Sequence, residues 1–184
     1  MSEMKEKFFD IVMARSNENQ RALDLLLSSN CHALVGAIIR MELDSLIRVH
    51  HFNNADEKTK EILLNNFFNE GEWKFNGKRI YDSVMLKNMP PLLGWAEHIY
   101  AFCCAFIHLS PYHDWASDSN IPNLTDATRQ FIVTEIRAQQ NDVWGYDTSL
   151  AIEEDFGFDD LIPFAPHIFK KLRENLYCEM KRIP

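Results

Sequence analysis

The stretch that decides the fold is residues 92–115, which read LLGWAEHIYAFCCAFIHLSPYHDW. At about 100° per residue, a helix over 92–109 places Glu97, Cys104 and His108 on one stripe. The other residues on this stripe are small, namely Gly94, Ala101 and Ala105. Such a stripe lets a second helix approach closely and offers it a carboxylate, a thiol and an imidazole. We therefore predict a helix with a polar contact face.

A second helix is predicted over residues 31–52. It is apolar almost all round, which is typical of the central helix of a bundle. Arg40 and Asp44 project from it to the same side, and alanines continue their ridge toward the beginning of the helix. Because Arg40 and Glu97 carry opposite charges, we expect the two ridges to face each other.

The spacing of apolar side chains predicts further helices, over residues 2–27, 57–69, 78–88 and 166–180. Asp56 or Asn54 supplies a cap for the second of these, and Gly71 supplies its end. Residues 16–20 are polar and interrupt the first of them as a bend or a solvated turn. Residues 125–140 fit a helix or a strand because they contain a run of β-branched side chains, and we favour the helix.

The composition supports a helical architecture. Of the 184 residues, 46% are hydrophobic and 13 are Phe, which is enough for a large buried core. The 6 Gly and 7 Pro are few, which fits long elements better than a β-sandwich with many turns. We predict a mainly all-α helical bundle that forms a single domain over residues 1–184, with 112–160 as a less regular insertion.

The charge and the cysteines of the chain disfavour a DNA-binding protein, a disulfide-bonded protein and a membrane protein. The formal net charge of −8 argues against a broad DNA-binding surface, because phosphates are bound by clustered Lys and Arg. Cys103 and Cys104 are neighbours on a predicted helix and cannot readily pair with each other, which indicates a reducing compartment. Glu97 and two histidines interrupt the apolar run at 92–109, which disfavours a membrane span. We expect a cytoplasmic protein with no membrane partner.

The two ridges together predict a polar cleft lined by Arg40, Asp44, Glu97 and His108. In this cleft His108 would act as general acid or base, since an imidazole titrates near neutral pH. Arg40 would bind a phosphate or stabilise developing negative charge. This chemistry fits the binding or cleavage of RNA or a nucleotide, with no cofactor and no metal ion.

The same residues can instead have a purely structural role, and we favour this interpretation over the catalytic one. Arg40, Asp44 and Glu97 would then form a buried ion-pair network that fixes the register of the helices. Glu42 lies on the opposite face of its helix, among apolar neighbours. An isolated buried charge is costly, so we expect an Arg or a Tyr elsewhere in the core to be its partner.

A third alternative is a metal-dependent phosphohydrolase that uses His108, His113 and Asp114. The last two resemble the His-Asp pair of the HD phosphohydrolases. In that family the pair lies on a helix, whereas Pro111 indicates a loop here. The sequence also lacks the Glu-x-x-His motif of di-metal bundles and the Cys-x-x-Cys spacing of zinc sites.

Two short patterns carry a resemblance to a known group. Residues 39–44, IRMELD, look like the Arg-x-x-x-acid helix of uncharacterised bacterial all-helical families related to the HEPN superfamily. Tyr100, Cys104 and His108 resemble the Tyr…Ser…His helix of those families, with Cys104 where a Ser is usual. The resemblance covers roughly residues 31–115.

The resemblance implies a HEPN-like helical bundle, often a homodimer, in bacterial defence, toxin–antitoxin or stress settings and in some cases with RNase activity. The residues that carry over are Arg40, Asp44, Tyr100 and His108. Catalytic HEPN proteins contain an Arg-x4-6-His pattern, and no Arg in this chain has that spacing. The alternative function is therefore a non-catalytic homodimeric interaction protein that associates through an apolar helix face.

Overall fold

The structure is a computed structural model. It describes residues 2–90, 93–107, 126, 129–130, 132–134, 137 and 161–182. Helices dominate these residues, and the sheet that they contain is a single short hairpin. The prediction of a mainly all-α fold is confirmed.

The helices are α1 (Ser2–Ser28), α2 (His32–Asn54), α3 (Glu57–Glu70), α4 (Asp82–Lys87), α5 (Trp95–Ile107) and α6 (Ala165–Lys181). Between α3 and α4, strand β1 (Lys74–Phe75) pairs with the antiparallel strand β2 (Lys78–Arg79). A 3₁₀ turn, Ile162–Phe164, leads into α6. The helix predicted over 78–88 therefore begins later than expected, because its first residues belong to the hairpin.

Helix α2 is the centre of the fold, as its apolar surface predicts. It packs against α1, α4, α5 and α6. Leu43, Leu46 and Ile47 of α2 are completely buried. At the end of α2, Phe52 lies 5.5 Å from the ring of Phe8 on α1, so aromatic contacts close the core there.

Helix α3 has the ends that its sequence predicts. The side chain of Asp56 accepts a hydrogen bond from the backbone N–H of Thr59 at 2.9 Å, which caps the first turn. Gly71 ends the helix with φ +67°, a left-handed conformation that favours glycine.

Two expectations about α1 and α2 are wrong, and one contact explains both. Ser16 and Asn19 are buried in the middle of a continuous α1, whereas their polarity predicts a bend or a solvated turn there. Ser16 Oγ donates to Glu42 Oε1 at 2.5 Å, and Asn19 Nδ2 donates to Glu42 Oε2 at 2.9 Å. Among the residues that the structure describes, the partners of the buried Glu42 are thus neutral polar groups of α1, and neither an Arg nor a Tyr.

The described residues between α5 and α6 at positions 126, 129–130, 132–134 and 137 are helical, in agreement with the helix that we favoured over 125–140. The rest of the predicted insertion at 112–160 lies outside the described residues. Among the helices that the structure describes, none is long and apolar enough to cross a membrane.

Candidate functional site

Five side chains from three helices form one chain of alternating charges, which we call the Arg–Asp network. Asp82 accepts from Arg40 Nη2 at 2.6 Å and from Arg48 Nη2 at 2.9 Å. Asp44 accepts from Arg48 Nε at 2.8 Å and from Arg15 Nη1 at 2.7 Å. The order Arg15–Asp44–Arg48–Asp82–Arg40 joins α1, α2 and α4.

Local sequence explains how the network is positioned. Arg40, Asp44 and Arg48 follow each other at intervals of four residues, so they lie on one side of α2. Asp82 is in the first turn of α4, where a carboxylate is also favoured by the helix dipole. Burial of Met85 from the same short helix holds α4 against the core and delivers Asp82 to the arginines.

Arg40 is the buried end of the network, with 7% of its surface exposed. Its guanidinium carbon lies 4.1 Å from the ring centre of Tyr100, which is a cation–π contact. Burial alone would lower the pKa of Arg40, but the hydrogen bonds to Asp82 and Cys104 raise it above its ordinary value. Arg40 is therefore a permanent cation.

Two side chains of α5 near Arg40, Tyr100 and Cys103, have raised pKa values. Burial raises the pKa of the Tyr100 hydroxyl, and the neighbouring Cys104 raises it further, although Arg40 opposes both. Burial also raises the pKa of Cys103 to about 12. Both groups hold their protons at neutral pH, and Cys103 serves as a small apolar side chain of the core.

The other end of the network reaches the surface. The side chain of Arg15 is 36% exposed and that of Arg48 is 23% exposed. Three guanidinium groups share the two carboxylates of Asp44 and Asp82, so the network carries one excess positive charge. This arrangement can hold the helices together and can also present cationic N–H donors to an anion.

The structure brings together two of the four predicted site residues. Arg40 and Asp44 both belong to the Arg–Asp network, but they bind other partners and not each other. Glu97 is exposed on α5, and Arg40 has Asp82 as its carboxylate partner. The role that we predicted for Glu97 stays a prediction. His108 lies outside the described residues.

The expected contact face of α5 differs from the observed one. Gly94 and Ala101 are exposed, so this part of the small-residue stripe does not pack against α2. The buried side chains are Ala96 and Cys103 of α5 and Leu93 just before it, and they lie on the neighbouring face. Burying these apolar groups sets the rotation of α5, and this rotation leaves Glu97 in solvent.

Asp82 and Arg15 are the network residues that the sequence does not predict. A carboxylate in the first turn of a short helix is an ordinary feature of helix beginnings, and an arginine on an amphipathic helix is an ordinary surface residue. No local spacing links either one to α2. One signal is the surplus of arginines on α2 itself, because Arg40 and Arg48 flank a single Asp44 and so indicate that a second carboxylate lies nearby.

A second polar cluster joins the ends of α2 and α6. Glu179 is buried, and its Oε1 lies 3.1 Å from His50 Nδ1 and 2.8 Å from Arg182 Nη1, while its Oε2 accepts from Asn53. Burial alone would raise the pKa of Glu179, but the contacts with His50, Arg182 and Asn53 lower it below its ordinary value. Next to this cluster, burial lowers the pKa of His51, and the proximity of His50 and Arg48 lowers it further.

The described part of the chain contains no group of three or more His, Cys, Asp or Glu side chains that could hold a metal ion. His108, His113 and Asp114 of the metal-dependent alternative all lie outside that part. No family model, curated protein or solved structure matches the chain. The geometry of the Arg–Asp network is therefore the basis on which we assign a function.

Proposed function

We propose that this chain is a helical binding protein that receives a phosphate-bearing ligand, RNA or a nucleotide, at the exposed end of the Arg–Asp network. The observation that carries the proposal is that, among the residues the structure describes, Arg15, Arg40 and Arg48 converge on two carboxylates. A phosphate placed beside them would meet an excess positive charge and guanidinium donors whose positions are already fixed.

The two ends of the network have different roles in this proposal. Arg15 and Arg48 are the contact residues, because their side chains are partly exposed, at 36% and 23%, whereas Arg40 of the same network is buried. Arg40 is buried and acts as a positioning residue, since it holds Asp82 and thereby Arg48. The chain as a whole is acidic, so we expect binding to be confined to this edge and to depend strongly on salt.

Cleavage of the ligand would need a general acid or base in addition. We propose His108 for this role on sequence grounds, and the resemblance to HEPN-like families supports an RNA substrate. The pKa of Tyr100 is raised, so its hydroxyl stays protonated at neutral pH and is not available as a general base. Binding and cleavage are therefore separate proposals. Arg15 and Arg48 would bind the ligand, and His108 would take part in its cleavage.

The test is fluorescence anisotropy with a labelled single-stranded RNA and a labelled adenine nucleotide, over a series of salt concentrations. We expect Arg15→Gln and Arg48→Gln each to weaken binding about tenfold, the worth of one charge-assisted hydrogen bond. Arg21→Gln is the matched control, because Arg21 is exposed on the same helix as Arg15 but outside the network. Equal affinity of Arg15→Gln and Arg21→Gln, or no binding by the wild type, would refute the proposal.

The same preparations decide about cleavage. Incubation of the RNA with the wild type and with His108→Ala, in the presence of a chelator, should show intact RNA with the variant and fragments with the wild type if His108 is the acid or base. Intact RNA in both samples would leave a binding protein without nuclease activity. Cleavage by both samples would exclude His108 from the chemistry.

A second candidate is the non-catalytic homodimer. The observation that favours it is the exposure of two large apolar side chains on neighbouring helices, Leu34 of α2 at 54% and Ile107 of α5 at 48%. We propose sedimentation velocity over a range of concentrations, comparing the wild type with Leu34→Ser. A wild-type dimer that the substitution dissociates would support this function, and a monomer at all concentrations would exclude it.

A further inference from the structure

The β1–β2 hairpin lies beside Arg48, at the exposed end of the Arg–Asp network. Trp73, which precedes β1, is buried, and the guanidinium carbon of Arg48 lies 5.6 Å from the centre of its ring. After β2, Tyr81 leads directly into Asp82, which accepts from Arg48 Nη2 at 2.9 Å. The backbone N–H of Ile80 donates to the carbonyl oxygen of Trp73 at 2.8 Å and closes the base of the hairpin. Both ends of the hairpin are therefore held next to Arg48.

The register of the hairpin separates its side chains into two faces. Lys74 is paired with Arg79, and Phe75 is paired with Lys78. Successive side chains of a strand point to opposite faces, and directly paired residues share a face. Trp73 defines the face that turns toward the core at the base of the hairpin. Lys74 and Arg79 consequently belong to the opposite face.

Arg79 and Tyr81 form an exposed pair on that second face. The guanidinium carbon of Arg79 lies 5.6 Å from the centre of the Tyr81 ring, which is a cation–π contact. The side chain of Arg79 is 55% exposed, and Tyr81 is 60% exposed. Arg79 Nη1 is 3.6 Å from Glu72 Oε1, but an ion pair as exposed as this one contributes little. An aromatic ring and a cation are therefore both accessible to a ligand.

The charge of the hairpin is opposite to that of the whole chain. Residues 72–81 contain three cationic side chains and one carboxylate, whereas the chain has a net charge of −8. Lys74 is bound by Glu70, since its Nζ lies 2.7 Å from Glu70 Oε2. Lys78 is exposed beside the turn, and Phe75 opposite it is 39% exposed. The end of the hairpin thus repeats the combination of a cation and an accessible aromatic ring.

We propose that the β1–β2 hairpin binds single-stranded RNA, with one base stacked on Tyr81 and neighbouring phosphates at Arg79 and Lys78. This inference rests on the proposed function, because the strand continues from the phosphate held at Arg48. Aromatic rings on which bases stack, next to cations that follow the backbone, are typical of surfaces that bind single strands. A mononucleotide reaches only the Arg–Asp network, so the hairpin selects RNA as the ligand.

The first measurement compares two labelled probes by fluorescence anisotropy, an adenine mononucleotide and an oligoadenylate of about eight nucleotides. We expect the oligonucleotide to bind at least about tenfold more tightly, because one stacked base supplies a factor of this size. Equal affinities would overturn the role of the hairpin and leave the proposed function intact. Binding of neither probe would refute both, so the two failures are distinguishable.

Two substitutions of the exposed Tyr81 side chain separate stacking from charge. Tyr81→Leu should weaken binding of the oligoadenylate about tenfold, whereas Tyr81→Phe, which keeps the ring, should bind like the wild type. Inorganic polyphosphate has the charges of RNA without its bases, so Tyr81→Leu should not change its affinity. Equal affinity of the two variants for the oligoadenylate, or an equal loss of polyphosphate binding in Tyr81→Leu, would overturn the proposal.

Arg79→Gln tests the phosphate contact on the same face. It should weaken binding of the oligoadenylate and reduce the slope of log affinity against log salt concentration by about one, because one phosphate contact is lost. Arg21→Gln, exposed on α1, should leave affinity and slope unchanged. The same slope for Arg79→Gln and Arg21→Gln would contradict a phosphate at Arg79.

Discussion

The Nη2 atom of Arg40 lies 2.6 Å from Oδ2 of Asp82, although 42 positions separate the two residues in the sequence. This contact ties the short helix α4 to the central helix α2. Because the second oxygen of the same carboxylate binds Arg48, one side chain fixes the position of two guanidinium groups. The members of the Arg–Asp network therefore depend on each other, because removing one side chain leaves its partners without their opposite charge.

We expect Asp82→Ala to destabilise the fold by about 2–4 kcal/mol, because it leaves the buried cation of Arg40 without its carboxylate. Urea unfolding followed by circular dichroism measures the change. Asp10→Ala, at an exposed position of α1, is the control and should change the stability by less than about 0.5 kcal/mol. A loss for Asp82→Ala no larger than that of the control would show that the network adds nothing to stability.

Glu42→Ala should cost about 2–4 kcal/mol, since it leaves the buried donors of Ser16 and Asn19 unmatched and opens a cavity. Glu61→Ala, exposed on α3, is the control in the same urea experiment. Combining Ser16→Ala with Glu42→Ala should cost less than the sum of the single changes, because one unmatched donor is removed with its acceptor. Strict additivity of the two changes would contradict the contact.

His51 should make stability rise with pH between about pH 5 and 7. Its pKa in the folded state is lowered from the ordinary 6.5, so the unfolded chain binds the proton more readily in this range. Acidification through that range therefore favours unfolding. We expect His51→Gln to flatten the dependence of the unfolding free energy on pH between these values. An unchanged slope would mean that His51 does not contribute.

Glu179 should also make the stability of the fold rise with pH, but in a lower pH range than His51. Its folded-state pKa is lowered, so the stability that it contributes is complete above the ordinary value of 4.5 and is lost as the pH falls below it. Glu179→Gln should flatten the acid limb of the stability curve, measured by thermal unfolding from about pH 5 to 3. Glu174→Gln, exposed on the same helix, should leave that limb unchanged. Superimposable acid limbs for wild type and Glu179→Gln would refute this assignment.

The helices could be predicted because their signals are local. The apolar surface of α2, the cap at Asp56 and the glycine at Gly71 each depend on a few neighbouring residues, and the structure agrees with all three. The prediction of an interruption in α1 is wrong for a physical reason. Ser16 and Asn19 resemble solvated residues in sequence, but the carboxylate of Glu42 makes their burial favourable.

The candidate site could be predicted only in part. Arg40 and Asp44 were found because their spacing on one helix places them on one side. The identity of the carboxylate that meets Arg40 depends on how α4 and α5 are placed and rotated, which is decided by the burial of apolar side chains over the whole core. Helical spacing alone favoured Glu97, whereas packing selected Asp82.

The contact between Glu42 and α1 has a consequence for how such a sequence can change over generations. Without the carboxylate, the buried donors of Ser16 and Asn19 would have no acceptor. Without those donors, the carboxylate would be buried with no hydrogen-bond partner. A substitution at any one of these positions therefore destabilises the fold until the other two positions also change. In related chains the three positions should be found either all polar or all apolar, and rarely in between.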